Sequence, residues 1–216
     1  MAISYHLGDI TTSKAEVIVN AANDRLARGA GVCGAIFAAA DRVGKGSQLA
    51  DDCRAVAPCP VGHAKSTNAY GVHASHIIHA VGPQWIGARS VGTTLNPNEI
   101  VQLGQLGMTY LSIFGELTSI DRRSVAIPAI STGIFGLPKE FGAHVAREVC
   151  QRFANDVDVE LWAYDQDDLR ILQSAPTPAV KLLWTHIAEL PMKVLQVLRS
   201  HGTVTLRFAS QFRRPR

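Results

Sequence analysis

The stretch from Val17 to Val32, VIVNAANDRLARGAGV, constrains this chain more than any other. A β-branched apolar run stops at two asparagines, crosses a short polar segment, and returns to apolar residues through Gly29 and Gly31. That order predicts a strand, a loop and the start of a helix. Glycine lets a ligand approach the backbone closely, and the free N–H groups of a helix N-terminus attract an anion, phosphate above all. Asparagine amides delivered to the same place add neutral donors and acceptors suited to sugar hydroxyls. The stretch therefore points to a phosphorylated sugar or a nucleotide, with Asn20 read as structural, bonding neighbouring loop backbone, and Asn23 as the ligand contact.

The rest of the chain reads as a compact α/β protein. Its 216 residues are 47% apolar and 18% charged, enough to bury one core and leave an extension. No apolar run is long enough to span a bilayer, and MAISYHLGDI lacks the basic and apolar regions of a signal peptide. The four cysteines form no CxxC pair and are too few for a disulfide scaffold. A reducing, cytoplasmic setting with no membrane partner is the expectation.

Charge divides the chain in two. Past Ala175 stand seven basic residues, Lys181, Lys193, Arg199, Arg207, Arg213, Arg214 and Arg216, against one acid, Glu189. The first 174 residues are net negative although the whole chain carries +3. With Ser174 to Pro178 (SAPTP) as a linker, the expected division is a folded domain over 1–174 and a basic extension over 175–216.

Strand-like runs at Ile3–Leu7, Val17–Val19, His76–Val81, Ser124–Ile130 and Val157–Tyr164 alternate with helical patterns. The helices are expected over Val32–Ala40, Gln48–Ala57, a segment opened by Asn96-Pro97, and Lys139–Ala154, with Asp165, Asp167 and Asp168 starting a last one. A loop or short strand fits Gly62–Thr67. In the extension, helical spacing runs over Val180–Leu198 and a strand is expected over Thr203–Phe208. Such alternation implies a sheet covered on both faces, whose ligand lies at the carboxyl ends of the strands. A second glycine loop, Ser131-Thr132-Gly133-Ile134-Phe135-Gly136, follows one of those ends.

Other polar groups read as structural. His73, His76 and His79 are evenly spaced, but on a strand the middle one faces away from the other two, so they share no metal. Cys53, Cys59 and His63 lack an evident fourth ligand and fit no standard zinc spacing. Cys33 reads as a small packed residue at a helix start.

Six motifs stand in order: Gly8-Asp9-Ile10-Thr11, VNAAN at Val19–Asn23, GAGV at Gly29–Val32, CPVGHAKST at Cys59–Thr67, IIHAVGP at Ile77–Pro83 and ISTGIFG at Ile130–Gly136. Together they resemble the macrodomain family of ADP-ribose-binding modules. The wording of GVCGAIF, DDCRAVAPCPVG and HIIHAVGP most resembles macrodomains in the nonstructural polyproteins of positive-strand RNA viruses, of rubella-like type, which would place the protein in a host cytoplasm.

The resemblance implies a three-layer α/β/α sandwich on a mixed, mostly parallel sheet. It implies that Asp9 accepts a hydrogen bond from the adenine amino group, that the Ile10 backbone reads the ring, and that Tyr164 lies against it. Asn23 would hold the distal ribose, with Phe135 packed on that sugar. Gly31 and Val32, with Ser131, Thr132, Gly133, Ile134 and Phe135, would wrap the diphosphate. No cofactor and no metal are implied, and the isolated domain is expected to be a monomer.

The resemblance also implies removal of ADP-ribose from modified acidic side chains of proteins, with Asn23, Gly31 and Phe135 orienting the substrate. Some cellular relatives carry aspartate directly after the GV pair, where this chain has Cys33. Some viral relatives have an acid between the loop glycines, where this chain has Ala30. Two alternatives follow: a reader that binds ADP-ribose without turnover, and an RNA- or replicase-interaction module that uses the basic extension.

Overall fold

The computed structural model describes residues 3–87, 95–154 and 156–174. The expected linker beyond Ser174, the helix over Val180–Leu198, the strand over Thr203–Phe208 and the basic end lie outside the described residues.

The elements run β1 (Ile3–Leu7), a single 3₁₀ turn (Ile10–Thr12), β2 (Val17–Ala21), α1 (Gly31–Arg42), α2 (Gly46–Val56), β3 (His63–Asn68) and β4 (His76–Val81). There follow α3 (Pro97–Ser119), β5 (Ser124–Pro128), α4 (Lys139–Phe153), β6 (Asp158–Ala163) and α5 (Gln166–Gln173). Six strands form one sheet in the order β1-β6-β5-β2-β4-β3. All pairs are parallel except β3 with β4. This is the expected α/β/α sandwich on a mixed, mostly parallel sheet.

The three layers follow from side-chain alternation along the strands. Val17, Val19, Ile78, Val125, Ile127, Val159 and Leu161 pack with α3 and α4 on one face. Ile18, Ile77, Ala126 and Trp162 pack with α1 and α2 on the other. Each fully buried Ile or Leu contributes roughly 1.5–3 kcal/mol, so both faces of these strands must be covered.

Helix α3 begins where Asn96-Pro97 predicts. Asn96 Oδ1 accepts the Glu99 N–H at 3.0 Å, Glu99 Oε2 accepts the Asn96 N–H at 2.8 Å, and Pro97 needs no acceptor in the first turn. Two strand ends differ by two residues from the sequence expectation, and those of β3 and β6 by one. Strand β5 stops at Pro128 rather than Ile130, because proline has no N–H for the ladder. Strand β2 runs on through Asn20 to Ala21, since Asn20 stands opposite His79 of β4 and its buried amide finds a partner there.

Among the described residues, no helix is long and apolar enough to cross a membrane.

Candidate functional site

The five parallel strands deliver their carboxyl ends to one edge of the sheet. Read across that edge, β1 leads to Gly8-Asp9, β6 to Tyr164, β5 to the loop 129–137, β2 to Ala22-Asn23, and β4 to Gly82. The two ends of the row are held by backbone. Gly8, at φ +119°, donates its N–H to Ala163 O at 2.9 Å, which sets the Asp9 loop beside the end of β6. Ala22 donates to Ala80 O at 3.0 Å, which closes the β2 loop onto β4.

Between β5, β2 and α1 lies a cleft of about 760 Å³, its open mouth included. Its wall holds Asn23, Gly31, Val32, Ser131, Gly133, Ile134 and Phe135. These are the sequence-predicted residues the structure brings together.

Helix α1 faces this cleft with its N-terminus. Ala30 occupies the N-cap without a side-chain cap, and Gly31 adopts φ +60° as the chain turns into the helix. The N–H groups of Gly31 and Val32, in the first turn, have no intrahelical acceptor. The positive end of the helix dipole and these amides make the cleft an anion site.

The opposite wall is the loop after β5. Ser131 is only 6% exposed and sits at φ +66°, a left-handed conformation that costs a non-glycine residue roughly 1–2 kcal/mol. Its Oγ is buried and has no hydrogen-bond partner among the described residues. The loop is fixed by Leu137 N to Ser131 O at 3.0 Å, Gly136 N to Gly133 O at 2.9 Å and Trp85 N to Phe135 O at 2.8 Å. The left-handed Ser131, held in place by these contacts, shapes the wall of the cleft.

Asn23 is half-buried at the far end. Its Nδ2 donates to Ala27 O at 2.8 Å and its Oδ1 accepts the Ala27 N–H at 3.1 Å. One N–H and one lone pair remain for a ligand.

The other predicted residues stand apart. Asp9 is exposed and caps the 3₁₀ turn, its Oδ1 accepting the Thr11 N–H at 2.9 Å. Ile10 is buried, and Tyr164 is 84% exposed beyond β6. Thr132 donates its hydroxyl to Ala129 O at 3.2 Å and lines a separate apolar hollow with Lys139, Gly142 and Asp168.

Sequence reasoning missed part of the cleft wall: Ala21, Ala80, Gly82 and Ala129, small residues at adjacent strand ends. The glycine of HAVGP was the available signal. A Cβ on Gly82 would stand 2.2 Å from Ser131 Oγ, so only glycine fits there.

Asn20 is structural, but it bonds side chains rather than loop backbone. Its Nδ2 reaches His79 Nδ1 at 3.0 Å and Cys33 Sγ at 3.6 Å. His79 is wholly buried, and desolvation lowers its pKa from 6.5 to about 4, so the ring is neutral. His73 precedes β4 and His76 opens it. Cys53 and Cys59 are buried thiols whose pKa desolvation pushes up to about 11.

A family model described as Macro domain matches residues 19–146, more than half of the chain. The chain is 41% identical over 160 residues to an ADP-ribose glycohydrolase, MACROD1, of Rattus norvegicus, covering 72% of this chain and 57% of the rat protein. It is 37% identical over 183 residues to a macro domain-containing protein of Vibrio parahaemolyticus, covering 82% of this chain and 98% of the other. The chain thus spans about half the length of the mammalian relatives it matches. Among solved structures, the Oceanobacillus iheyensis macrodomain with ADP is 28% identical with a TM-score of 0.64, covering 77% of this chain and 85% of that one. The Trypanosoma brucei macrodomain in complex with ADP-ribose is 26% identical with a TM-score of 0.63, covering 79% and 67%.

These relatives are mammalian, bacterial and trypanosomal, which overturns the resemblance to viral nonstructural polyproteins and the host-cytoplasm expectation tied to it. The physical reason lies in the motifs themselves. GVCGAIF lies in α1, DDCRAVAPCPVG in α2 and the turn before β3, and HIIHAVGP in β4 and its end, so their wording follows the packing of shared elements and does not mark a lineage. Cys33 is 3% exposed, packs in the core and forms part of the cleft wall. With residues 19–146 matched and the fold shared, the chain belongs to the macrodomain family, in its cellular branch.

Proposed function

We propose that this protein binds ADP-ribose along the strand-end edge and hydrolyses mono-ADP-ribose from modified acidic side chains of proteins. The observation that carries this reading is the row of sites across that edge. An acceptor and an exposed aromatic, Asp9 and Tyr164, stand at one end; the anion-binding cleft lies between; Asn23 stands at the other. Adenine, diphosphate and distal ribose follow in the same order in ADP-ribose. The cellular relatives, an ADP-ribose glycohydrolase among them, and structures holding ADP-ribose or ADP support it.

Among the described residues, no carboxylate, imidazole or amine lines the cleft. The residues bind and orient: the α1 amides and the loop 131–135 hold the diphosphate bent, Asn23 fixes the ribose hydroxyls, and Phe135 packs on the sugar. Water then adds at the ester, at its acyl or its anomeric carbon, with a substrate phosphate oxygen taking the proton. The products are ADP-ribose and the free side-chain acid. The same lining favours a second reading, a reader without turnover, because it supplies no protein base.

Residues 1–174 are proposed as the functional unit. Arg147 supports that boundary by donating to Leu172 O at 2.8 Å and to Ser174 O, which ties the end of α5 to α4. Incubation with a protein mono-ADP-ribosylated on glutamate separates the two readings. Release of ADP-ribose is expected; tight binding without release would leave only the reader.

A further inference from the structure

The polar groups buried beneath the cleft form one continuous chain. At its inner end Thr67 Oγ1 donates to Asn68 O at 3.1 Å and stands 2.9 Å from His79 Nε2. The neutral His79 ring accepts at Nδ1 from Asn20 Nδ2 at 3.0 Å, so its proton resides on Nε2 and is donated to Thr67. The second N–H of Asn20 points to Cys33 Sγ at 3.6 Å. The same sulfur accepts the Gly29 N–H at 3.3 Å, and its S–H faces Ala27 O at 3.8 Å. Ala27 O is the carbonyl that Asn23 Nδ2 holds at 2.8 Å.

The links from Thr67 through His79 and Asn20 to Cys33 are buried, and those from Cys33 to Gly29 and Ala27 are partly buried. Asn20 and His79 are 1% and 0% exposed, and Cys33 is 3% exposed. In such surroundings each hydrogen bond of the chain avoids a full desolvation cost, a cost borne only where, among the described residues, Asn20 Oδ1 finds no partner. Strands β2, β3 and β4 fix its inner end, and the loop 27–31 is its movable end.

We infer that Cys33, held by Asn20 and His79, is a positioning residue that sets the loop 27–31 and, through Ala27, the Asn23 amide that receives the distal ribose. The sulfur is suited to this by reach, since its long soft bonds let one atom serve Gly29, Ala27 and Asn20 at once. The inference rests on the proposed placement of ADP-ribose. It adds that recognition of the distal ribose depends on a thiol in the cleft wall that acts through the loop backbone.

Calorimetric affinities for ADP-ribose and for ADP, measured on wild type, Cys33→Ala and Cys33→Ser, test it. ADP shares the diphosphate and lacks the distal ribose. Cys33→Ala is expected to weaken ADP-ribose about tenfold, the worth of one or two misplaced hydrogen bonds, and to change ADP less than about twofold. Cys33→Ser, which keeps a donor and an acceptor at that position, is expected to recover most of the loss. Amide exchange at Gly29 is expected to quicken in Cys33→Ala. Equal weakening of both nucleotides, or unchanged ADP-ribose affinity, would overturn the assignment. A wild-type protein that binds ADP-ribose no better than ADP would instead overturn the placement of Asn23 at the ribose, and the assignment with it.

Discussion

Asn23 clasps the backbone of Ala27 with both ends of its side-chain amide, donating at 2.8 Å and accepting at 3.1 Å. The clasp holds the amide in one orientation before any ligand arrives, which lowers the entropy cost of binding. Asn23→Ala removes the clasp and the ribose contact together. Because the loop is partly exposed, the stability loss is expected to be about 1 kcal/mol by chemical denaturation. Release of ADP-ribose from a modified protein is expected to vanish; full retained turnover would remove Asn23 from the site.

At the other end of the row, Asp9 caps the 3₁₀ turn through the Thr11 N–H at 2.9 Å. In the proposed placement its second carboxylate oxygen receives the adenine amino group. Asp9→Ala is expected to weaken ADP-ribose and ADP alike, by roughly 1.5–3 kcal/mol for a charged hydrogen bond. Calorimetry with both nucleotides checks this, and affinities unchanged for both would reject the adenine placement.

The fit of Gly82 against the β5 loop gives a third expectation. An added Cβ would lie 2.2 Å from Ser131 Oγ and 2.7 Å from Ile130 Cγ2. Gly82→Ala is expected to cost about 1–3 kcal/mol of stability by overpacking and to lower ADP-ribose affinity as Ser131 is displaced. A variant with wild-type melting temperature and affinity would show that the strand end and the loop are not coupled.

Burial of His79 sets a pH dependence. Its pKa is about 4 in the folded protein against an ordinary 6.5, so between these values the unfolded chain binds more protons. Stability is free of this penalty above about pH 6.5 and falls as pH drops toward 4, by roughly 3 kcal/mol in all. Denaturant unfolding of wild type and His79→Gln across that range checks the sign. The advantage of the histidine is expected to shrink as pH falls; a constant difference would mean the ring is not buried neutral.

The sequence made much of this legible because the signals are local. Asn96-Pro97 marks a helix start by its own chemistry, and the β-branched runs at Val17, His76 and Ser124 become strands of the sheet. Gly31 marks the entry to α1 because its φ of +60° selects glycine. What escaped depends on register. That Asn20 stands opposite His79, and that Gly82 faces Ser131, are consequences of strand order, which no single stretch encodes. The separation of Thr132 from the cleft turns on one positive φ at Ser131. Lineage was misread for a related reason: the stretches that suggested it lie in elements shared across the family.

Calorimetric titration of the protein with ADP-ribose tests the central claim most directly. Saturable binding at one site, weakened by Asp9→Ala and by Asn23→Ala, is the expected result. Absence of binding heat, or binding indifferent to both substitutions, would contradict the placement of ADP-ribose along the strand-end edge.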